Sequence, residues 1–165
     1  MTTPSLSKVG SCVVQSALGS QTVTLESFWR DRTCIVTFFR RMGCKFCRLE
    51  AKNLSYLKPA LDTRNIKLIG ITFDVGGVKE FLDGHYFDGG QSAAKIPGNL
   101  SGDGWQTGGL LVVEKGGKVL YYHEQKEVVN HPDYKKIIDV LKIDPKDVPE
   151  FATVLSQECD NACKM

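Results

Sequence analysis

The chain has 165 residues, of which 42% are apolar and 24% charged, and its formal net charge at pH 7 is +2. This size and apolar content predict one globular domain with a substantial core, and the near-neutral charge argues against nucleic-acid binding. No stretch approaches the ~18 consecutive apolar residues of a membrane-spanning helix, and residues 1–10 lack an apolar signal region. We therefore expect a cytosolic protein without a transmembrane segment.

The first half of the chain predicts a strand pair, a strand and a helix. Two short strands over 9–14 and 22–25 are expected to pair, and the β-branched and aromatic run 34–40 predicts a buried strand. Apolar residues recur at near-helical spacing over 44–61, where Pro59 is expected to kink or end the helix.

The second half continues the alternation. A buried strand is predicted over 66–73, a short helix over 78–82, and a hairpin over 110–123 that turns at Gly116-Gly117. A final helix, with Pro132 in its first turn, presents one apolar stripe to the sheet.

This order of elements predicts the fold class. It is α/β and thioredoxin-like (peroxiredoxin-like), a three-layer sandwich in which helices flank a central mixed sheet. We expect a single domain over residues 1–148 and a partly disordered C-terminal tail over 149–165.

The most informative motif, Cys-Lys-Phe-Cys at 44–47, lies where the apolar strand gives way to the helix. A helix N-terminus favours a thiolate, and Arg40 and Arg41 add positive charge, so the pKa of Cys44 is expected to fall from ~8.5 into the range of roughly 3.5–7.5. Cys47 follows three residues later on the same helical face and can resolve a mixed disulfide formed at Cys44. The motif therefore predicts a redox-active dithiol.

The other cysteines leave an alternative open. The two cysteines of the motif could form a four-sulfur zinc site with Cys159 and Cys163, although the preceding strand and following helix favour redox chemistry. Cys12 and Cys34 are interpreted as buried thiols.

Three segments together carry a family resemblance. Residues 38–48 read Phe-Phe-Arg-Arg-Met-Gly-Cys-Lys-Phe-Cys-Arg, and with 79–87 and 98–103 they resemble the peroxiredoxin-like 2 family. The resemblance implies a cytosolic thioredoxin-fold oxidoreductase that reduces the endoperoxide of prostaglandin H2, or of its ethanolamide prostamide H2, to the F2α product. It also implies NADPH as the ultimate electron source.

Site roles follow from the resemblance together with the chemistry of the residues. Cys44 would attack one endoperoxide oxygen, and Arg40 or Arg41 is a candidate to stabilise the alkoxide that leaves. Phe46 and Trp105 are candidates to line an apolar substrate pocket. No dinucleotide-binding glycine motif follows a predicted strand, so we expect no bound cofactor, and a thioredoxin-type protein would carry electrons from NADPH to the dithiol.

One departure from the family leaves two alternatives open. Around residues 88–95 the chain lacks a strand, a helix and a loop that relatives contain. Without the full substrate pocket the protein could be a broader thioredoxin-dependent peroxide or disulfide reductase. It could also be a non-catalytic redox-responsive or zinc-binding protein if the shortened region 84–108 has lost the pocket.

Overall fold

A computed structural model describes most of the chain, namely residues 5–73, 75–87, 98–99, 103, 105–127, 130–149 and 151. The strands are β1 (Val13–Gln15), β2 (Thr22–Thr24), β3 (Cys34–Phe39), β4 (Lys67–Thr72), β5 (Gly109–Glu114) and β6 (Lys118–Glu124). The helices are α1 (Lys45–Ser55), α2 (Lys58–Thr63), α3 (Val78–Asp83) and α4 (Tyr134–Val140), and short 3-10 turns lie at Leu6–Lys8, Leu25–Phe28 and Pro145–Asp147.

The central sheet has four strands in the order β4-β3-β5-β6. Strand β3 runs parallel to β4 and antiparallel to β5, and β5 and β6 form a hairpin. Strands β1 and β2 pair separately as an antiparallel hairpin. The predicted mixed sheet is therefore confirmed, with the dithiol strand β3 near its centre.

Alternate side chains of β3 serve two different core layers. Ile35 packs among buried residues of α1, α2 and α4, whereas Cys34 and Val36 pack with Leu25 and Trp29 of the N-terminal segment. A strand directs successive side chains to opposite faces, so helices cover one face of the sheet and the N-terminal segment covers the other. The predicted α/β fold with flanking helices is confirmed.

Three details differ from the sequence expectations. Pro59 lies in the first turn of α2, where proline is tolerated, so the helix predicted over 44–61 is two helices. Strand β4 is half-buried rather than buried, because it lies at the edge of the described sheet. Helix α4 begins after Pro132, and its cap is Asp133, whose carboxylate accepts a hydrogen bond from the Lys136 N–H at 3.1 Å.

The core extends beyond the predicted domain end at residue 148. Phe151 is fully buried and packs edge-on against Tyr134, with ring centroids 5.4 Å apart. Residues 150 and 152–165 of the tail expected over 149–165, its two cysteines and the shortened stretch at 88–95 lie outside the described residues. Within the described part of the chain, no helix combines the length and apolarity needed to cross a bilayer.

Candidate dithiol site

The local fold places Cys44 at the start of a helix. Strand β3 ends at Phe39, a short loop follows, and Cys44 is the N-cap of α1 with extended backbone angles. Its N–H donates to the Arg41 carbonyl at 3.2 Å, and its own carbonyl accepts from the Arg48 N–H at 3.0 Å. The strand-to-helix junction predicted from the sequence is therefore where the first thiol lies.

Both thiols of the motif are buried and unbridged. Cys44 is 5% exposed and Cys47 is 3% exposed, and each is a free cysteine in this structure. They lie in one apolar cluster with Phe39, Met42 and Phe81. The dithiol is thus reduced and shielded from bulk water.

Hydrogen bonds to its sulfur make Cys44 an acidic thiol. The thiol of Cys47 donates to it, and backbone N–H groups of Phe46 and Cys47 add further donors at the helix N-terminus. Together with the nearby charge of Arg40, these donors outweigh the effect of burial and lower the pKa of Cys44 from 9.0 to about 4. The Cys44 thiol is therefore ionised at neutral pH, which is the state in which a cysteine can act as a nucleophile.

Cys47 has the opposite character. Its hydrogen bond to Cys44 and its burial both favour the neutral thiol, and the charges of Cys44 and Glu50 act in the same direction. The pKa of Cys47 is therefore raised well above its ordinary value. The pair thus consists of an ionised thiolate, Cys44, and a second thiol, Cys47, that holds its proton.

Arg48 fixes the loop that precedes the nucleophile. Its Nε donates to the Met42 carbonyl at 2.8 Å, and its guanidinium lies 5.3 Å from the ring centroid of Tyr86. The side chain is buried, so its charge is shared between a loop carbonyl and an aromatic face. The family-like motifs at 38–48 and 79–87 therefore meet at this arginine.

Two glycine contacts bring further segments against the same loop. Gly77 has a φ of 77°, and a Cβ there would lie 2.8 Å from the Gly43 nitrogen. On the other side, the Asn99 N–H donates to the Gly43 carbonyl at 2.8 Å. Gly43, directly before Cys44, is thus contacted by residues that come before and after the stretch 88–95 in sequence.

The remaining predicted site residues lie at different distances from the thiols. Arg40 is buried, and its charge acts on Cys44, whereas Arg41 is half-buried and contributes its backbone carbonyl to Cys44. Phe46 is 38% exposed on α1. Trp105 is 94% exposed and is not among the described residues of the thiol cluster.

Sequence reasoning missed a polar group behind the dithiol. The carboxylate of Glu50 accepts a hydrogen bond from Thr37 Oγ1 at 2.9 Å and lies 3.6 Å from His131 Nδ1. A charged residue one turn after Cys47, on the face of α1 that carries Ala51 and Leu54, was the available signal. His131 could not be connected to it because the contact joins segments distant in sequence.

The other described cysteines do not join the site. Cys34 is fully buried, and burial raises the pKa of its thiol to about 12, so the prediction of an inert buried thiol is confirmed there. The same prediction is wrong for Cys12, which is exposed at the start of a short surface hairpin. Within the described ranges, no group of three or more Cys, His, Asp or Glu side chains could hold a metal ion.

A buried dithiol at a strand-to-helix junction, with one acidic sulfur, is the arrangement of a thiol oxidoreductase. The sequence profile of the AhpC/TSA family matches residues 10–85, and that of the AhpC/TSA antioxidant enzymes matches 89–127. Among solved structures, peroxidoxin BcpB from Mycobacterium tuberculosis superposes with a TM-score of 0.58 at 16% identity, covering 80% of this chain and 92% of that one. Xanthomonas campestris peroxiredoxin Q, in a cysteine-to-serine mutant form, superposes with a TM-score of 0.57 at 14% identity, covering 84% of this chain and 95% of that one. These likenesses show the thioredoxin-like fold of peroxiredoxins.

Curated relatives make the assignment more specific. The prostamide/prostaglandin F synthase of Sus scrofa is 36% identical over 182 residues, covering 87% of this chain and 90% of its own length. That of Homo sapiens is 35% identical, with 87% and 92% covered. The chain therefore belongs to the peroxiredoxin-like family that contains the prostamide/prostaglandin F synthases, and it is an oxidoreductase of the thiol peroxidase and reductase class.

The same match bears on the shortened region. The alignment with the Sus scrofa relative has 182 positions, but it contains only about 144 residues of this chain, which is 87% of 165. About 38 aligned positions therefore have no residue in this chain. The match to the AhpC/TSA profile ends at residue 85, and the match to the AhpC/TSA antioxidant enzyme profile begins at residue 89. Both observations agree with an internal segment lacking near residue 88.

Proposed function

We propose that this protein reduces the endoperoxide of prostaglandin H2 or prostamide H2 to the F2α product through Cys44 and Cys47. The observation that carries the proposal is the asymmetry of the pair, in which the pKa of Cys44 is lowered to about 4 while Cys47 keeps its proton. The names of the relatives supply the substrate class.

The proposed reaction balances two electrons and two protons. The Cys44 thiolate attacks one oxygen of the endoperoxide, the O–O bond breaks, and the second oxygen leaves as an alkoxide that takes up a proton. Cys47 then loses its proton and attacks the Cys44 sulfur, which displaces the first oxygen and leaves a Cys44–Cys47 disulfide and a diol. Arg40, buried and close enough to act on Cys44, is the better placed arginine to stabilise the alkoxide.

Return of the disulfide to the dithiol needs a reductant. A thioredoxin-type protein would reduce the disulfide by thiol exchange, and NADPH would in turn supply the electrons to that protein. This protein would then bind no nucleotide itself and would meet its electron donor at the surface around Cys44.

An apolar cavity supports a lipid substrate. It measures about 280 Å³, and its lining includes Phe38, Phe73 and Gly108. Gly108 lies directly against the β3 end of the thiol loop, since a Cβ there would lie 3.3 Å from the Arg40 nitrogen. The described lining contains neither thiol, so we assign to this cavity an apolar chain of the endoperoxide, whose reacting oxygens would reach Cys44 past the end of β3.

Turnover assays test the proposal. The protein is mixed with thioredoxin, thioredoxin reductase, NADPH and prostaglandin H2, and the product is identified by mass, with Cys44→Ser as the control. Formation of the F2α diol that disappears in the control supports the function. Absence of turnover by the folded wild-type protein contradicts the proposed function and favours a non-catalytic role.

The burial of both sulfurs favours a second candidate, a reductase of small hydroperoxides. An opening that leaves Cys44 only 5% exposed admits a compact oxidant more readily than a lipid. Phe73→Ala separates the two candidates: for a lipid substrate we expect KM to rise roughly tenfold, about 1.4 kcal/mol of lost apolar contact, with little change for a small hydroperoxide. Equal effects on both substrates would favour the second candidate.

A further inference from the structure

Glu50 is a buried carboxylate beside the dithiol. It is only 7% exposed and lies on α1 three residues after Cys47. Residues three apart on a helix lie on the same face, so the carboxylate and the Cys47 thiol are neighbours on the buried side of α1. Glutamate is almost never fully buried without a partner, and its presence here calls for a reason.

One side chain from another element holds this carboxylate by a hydrogen bond, and a second lies close to it. Thr37 of β3 donates its hydroxyl proton to Oε1 at 2.9 Å, and Nδ1 of His131, in the segment before α4, lies 3.6 Å from Oε2. Thr37 is neutral, and His131 carries a charge only when it is protonated. Neither partner resembles the bidentate arginine that would fix the carboxylate permanently as a charge.

The charge of Glu50 acts on the resolving thiol. Along with the Cys44 hydrogen bond and burial, it raises the pKa of Cys47. A thiol that resists ionisation in this way must lose its proton before it can attack, and a nearby base lowers the barrier to that loss. Two further charges act on the pair, namely the Cys44 thiolate, which is consumed in the first step, and Arg40, which cannot accept a proton. The buried guanidinium of Arg48, which donates to the Met42 carbonyl, cannot accept a proton either.

We infer that Glu50 accepts the proton of Cys47 when Cys47 attacks oxidised Cys44, while the hydrogen bond from Thr37 holds its carboxylate in position. The inference rests on the proposed dithiol function. The S–H bond of Cys47 breaks and its proton goes to Glu50. The freed electron pair forms the Cys44–Cys47 bond, and the bond from Cys44 to the departing group breaks with its electrons leaving on that group.

The test reads each thiol separately and needs no peroxide. An aromatic disulfide reagent that releases a coloured thiolate is added to protein carrying Cys12→Ser, Cys159→Ser and Cys163→Ser, so that Cys44 and Cys47 are its accessible thiols. Attack by Cys44 releases a first coloured thiolate, and closure by Cys47 releases a second from the mixed disulfide. Rapid mixing resolves the two phases.

We expect Glu50→Gln to leave the first phase within about twofold and to slow the second by roughly 100-fold, the lower end of the range for general bases. The rate of the second phase in Glu50→Gln should also rise more steeply with pH, because hydroxide replaces the carboxylate as the proton acceptor. Glu50→Asp should recover part of the rate. Asp62→Asn, which removes an exposed carboxylate paired with Lys58, is the matched control and should change neither phase.

An unchanged rate and pH profile of the second phase in Glu50→Gln would overturn the inference while leaving the proposed function intact. If Glu50→Gln also loses the first phase, Glu50→Ala takes its place as the variant without a carboxylate: with its first phase intact, an unaltered second phase overturns the inference. An absent second phase in the background protein would instead remove the resolving role of Cys47, and with it the proposed function.

Discussion

Cys44, at the end of a loop, and Cys47, in the first turn of α1, are the same residue type in different surroundings. Cys44 receives hydrogen bonds from two backbone N–H groups and from the thiol of Cys47, whereas Cys47 gives its proton to that bond. The helix N-terminus therefore acts on one sulfur and not equally on the other, because its unpaired donors lie within the first turn. The two thiols differ in acidity because Cys44 lies at the N-cap of α1 and Cys47 lies within the helix.

Removal of the Cys47 thiol should raise the pKa of Cys44. The hydrogen bond from Cys47 is the largest cause of the low pKa, so in Cys47→Ala we expect the value to move upward from about 4, with the backbone donors keeping it below 9.0. Alkylation rate as a function of pH measures the shift. Cys12→Ala, which removes an exposed thiol, is the control, and identical alkylation profiles in wild type and Cys47→Ala would contradict the assignment.

The ionised thiol also makes stability depend on pH. Folding lowers the pKa of Cys44 from 9.0 to about 4, so the stability contributed by its thiolate is full above pH 9, declines as the pH falls, and is lost below about 4. The raised pKa of Cys47 acts only in more alkaline solution. Between about pH 7.5 and about pH 5 the Tm of the reduced wild type should therefore fall more than that of Cys44→Ser. Parallel Tm curves for the two proteins would argue against a stabilised thiolate.

At the scale of elements, the thiol loop depends on segments that the dithiol motif does not contain. The turn between β4 and α3 approaches Gly43 through Gly77, and the Asn99 N–H reaches the Gly43 carbonyl from the segment before β5. A Cβ at Gly77 would lie too close to the Gly43 nitrogen, and the positive φ at Gly77 favours glycine. The two neighbouring segments therefore help to fix the geometry in which Cys44 caps its helix.

Gly77→Ala should disturb the site as well as the fold. A Cβ at this position meets the Gly43 nitrogen at 2.8 Å in addition to the strain of a φ of 77°. Gly116→Ala is the matched control, because its φ is 90° but open space surrounds it. We expect both variants to lose about 1–2 kcal/mol from backbone strain, and Gly77→Ala to lose more and to shift the alkylation profile of Cys44. Equal losses of stability in the two variants, with an unaltered alkylation profile of Cys44, would show that the close approach of Gly77 to Gly43 does not influence the site.

The elements that the sequence predicted are those with a local signal. Strand β3, the β5–β6 hairpin with positive φ at Gly116 and Gly117, and the start of α1 follow from apolar runs and turn residues. The break between α1 and α2 was misjudged, because Pro59 is as acceptable in a first turn as after a helix end. The contact of Glu50 with His131 has no local signal, since folding alone brings the two residues together.

At the scale of the whole molecule, the shortened chain still builds a continuous core. About 38 positions of the Sus scrofa relative have no counterpart here, by comparison of 182 aligned positions with 87% of 165 residues. The described core nevertheless joins β3, β5 and all three of α1, α2 and α4 around Ile35, Leu54 and Tyr134. In the described sheet β4 is an edge strand, and edge strands expose unpaired backbone groups. The described core is therefore continuous around β3, and the described sheet ends at β4.

Phe151 provides a test of where this core ends. Its ring is fully buried against Tyr134, so Phe151→Ala should lower the free energy of unfolding by about 3–5 kcal/mol, the usual cost of a large cavity. Phe46→Ala, which truncates an aromatic ring already 38% exposed, is the control and should cost much less. Denaturant unfolding of both variants and of two truncations measures these differences. A chain ending at Val148 should be destabilised at least as much as Phe151→Ala, whereas one ending at Phe151 should keep its stability if the tail begins at residue 152. Equal stability of both truncated chains would place the end of the core at residue 148, because Phe151 would then contribute nothing that the remaining chain lacks.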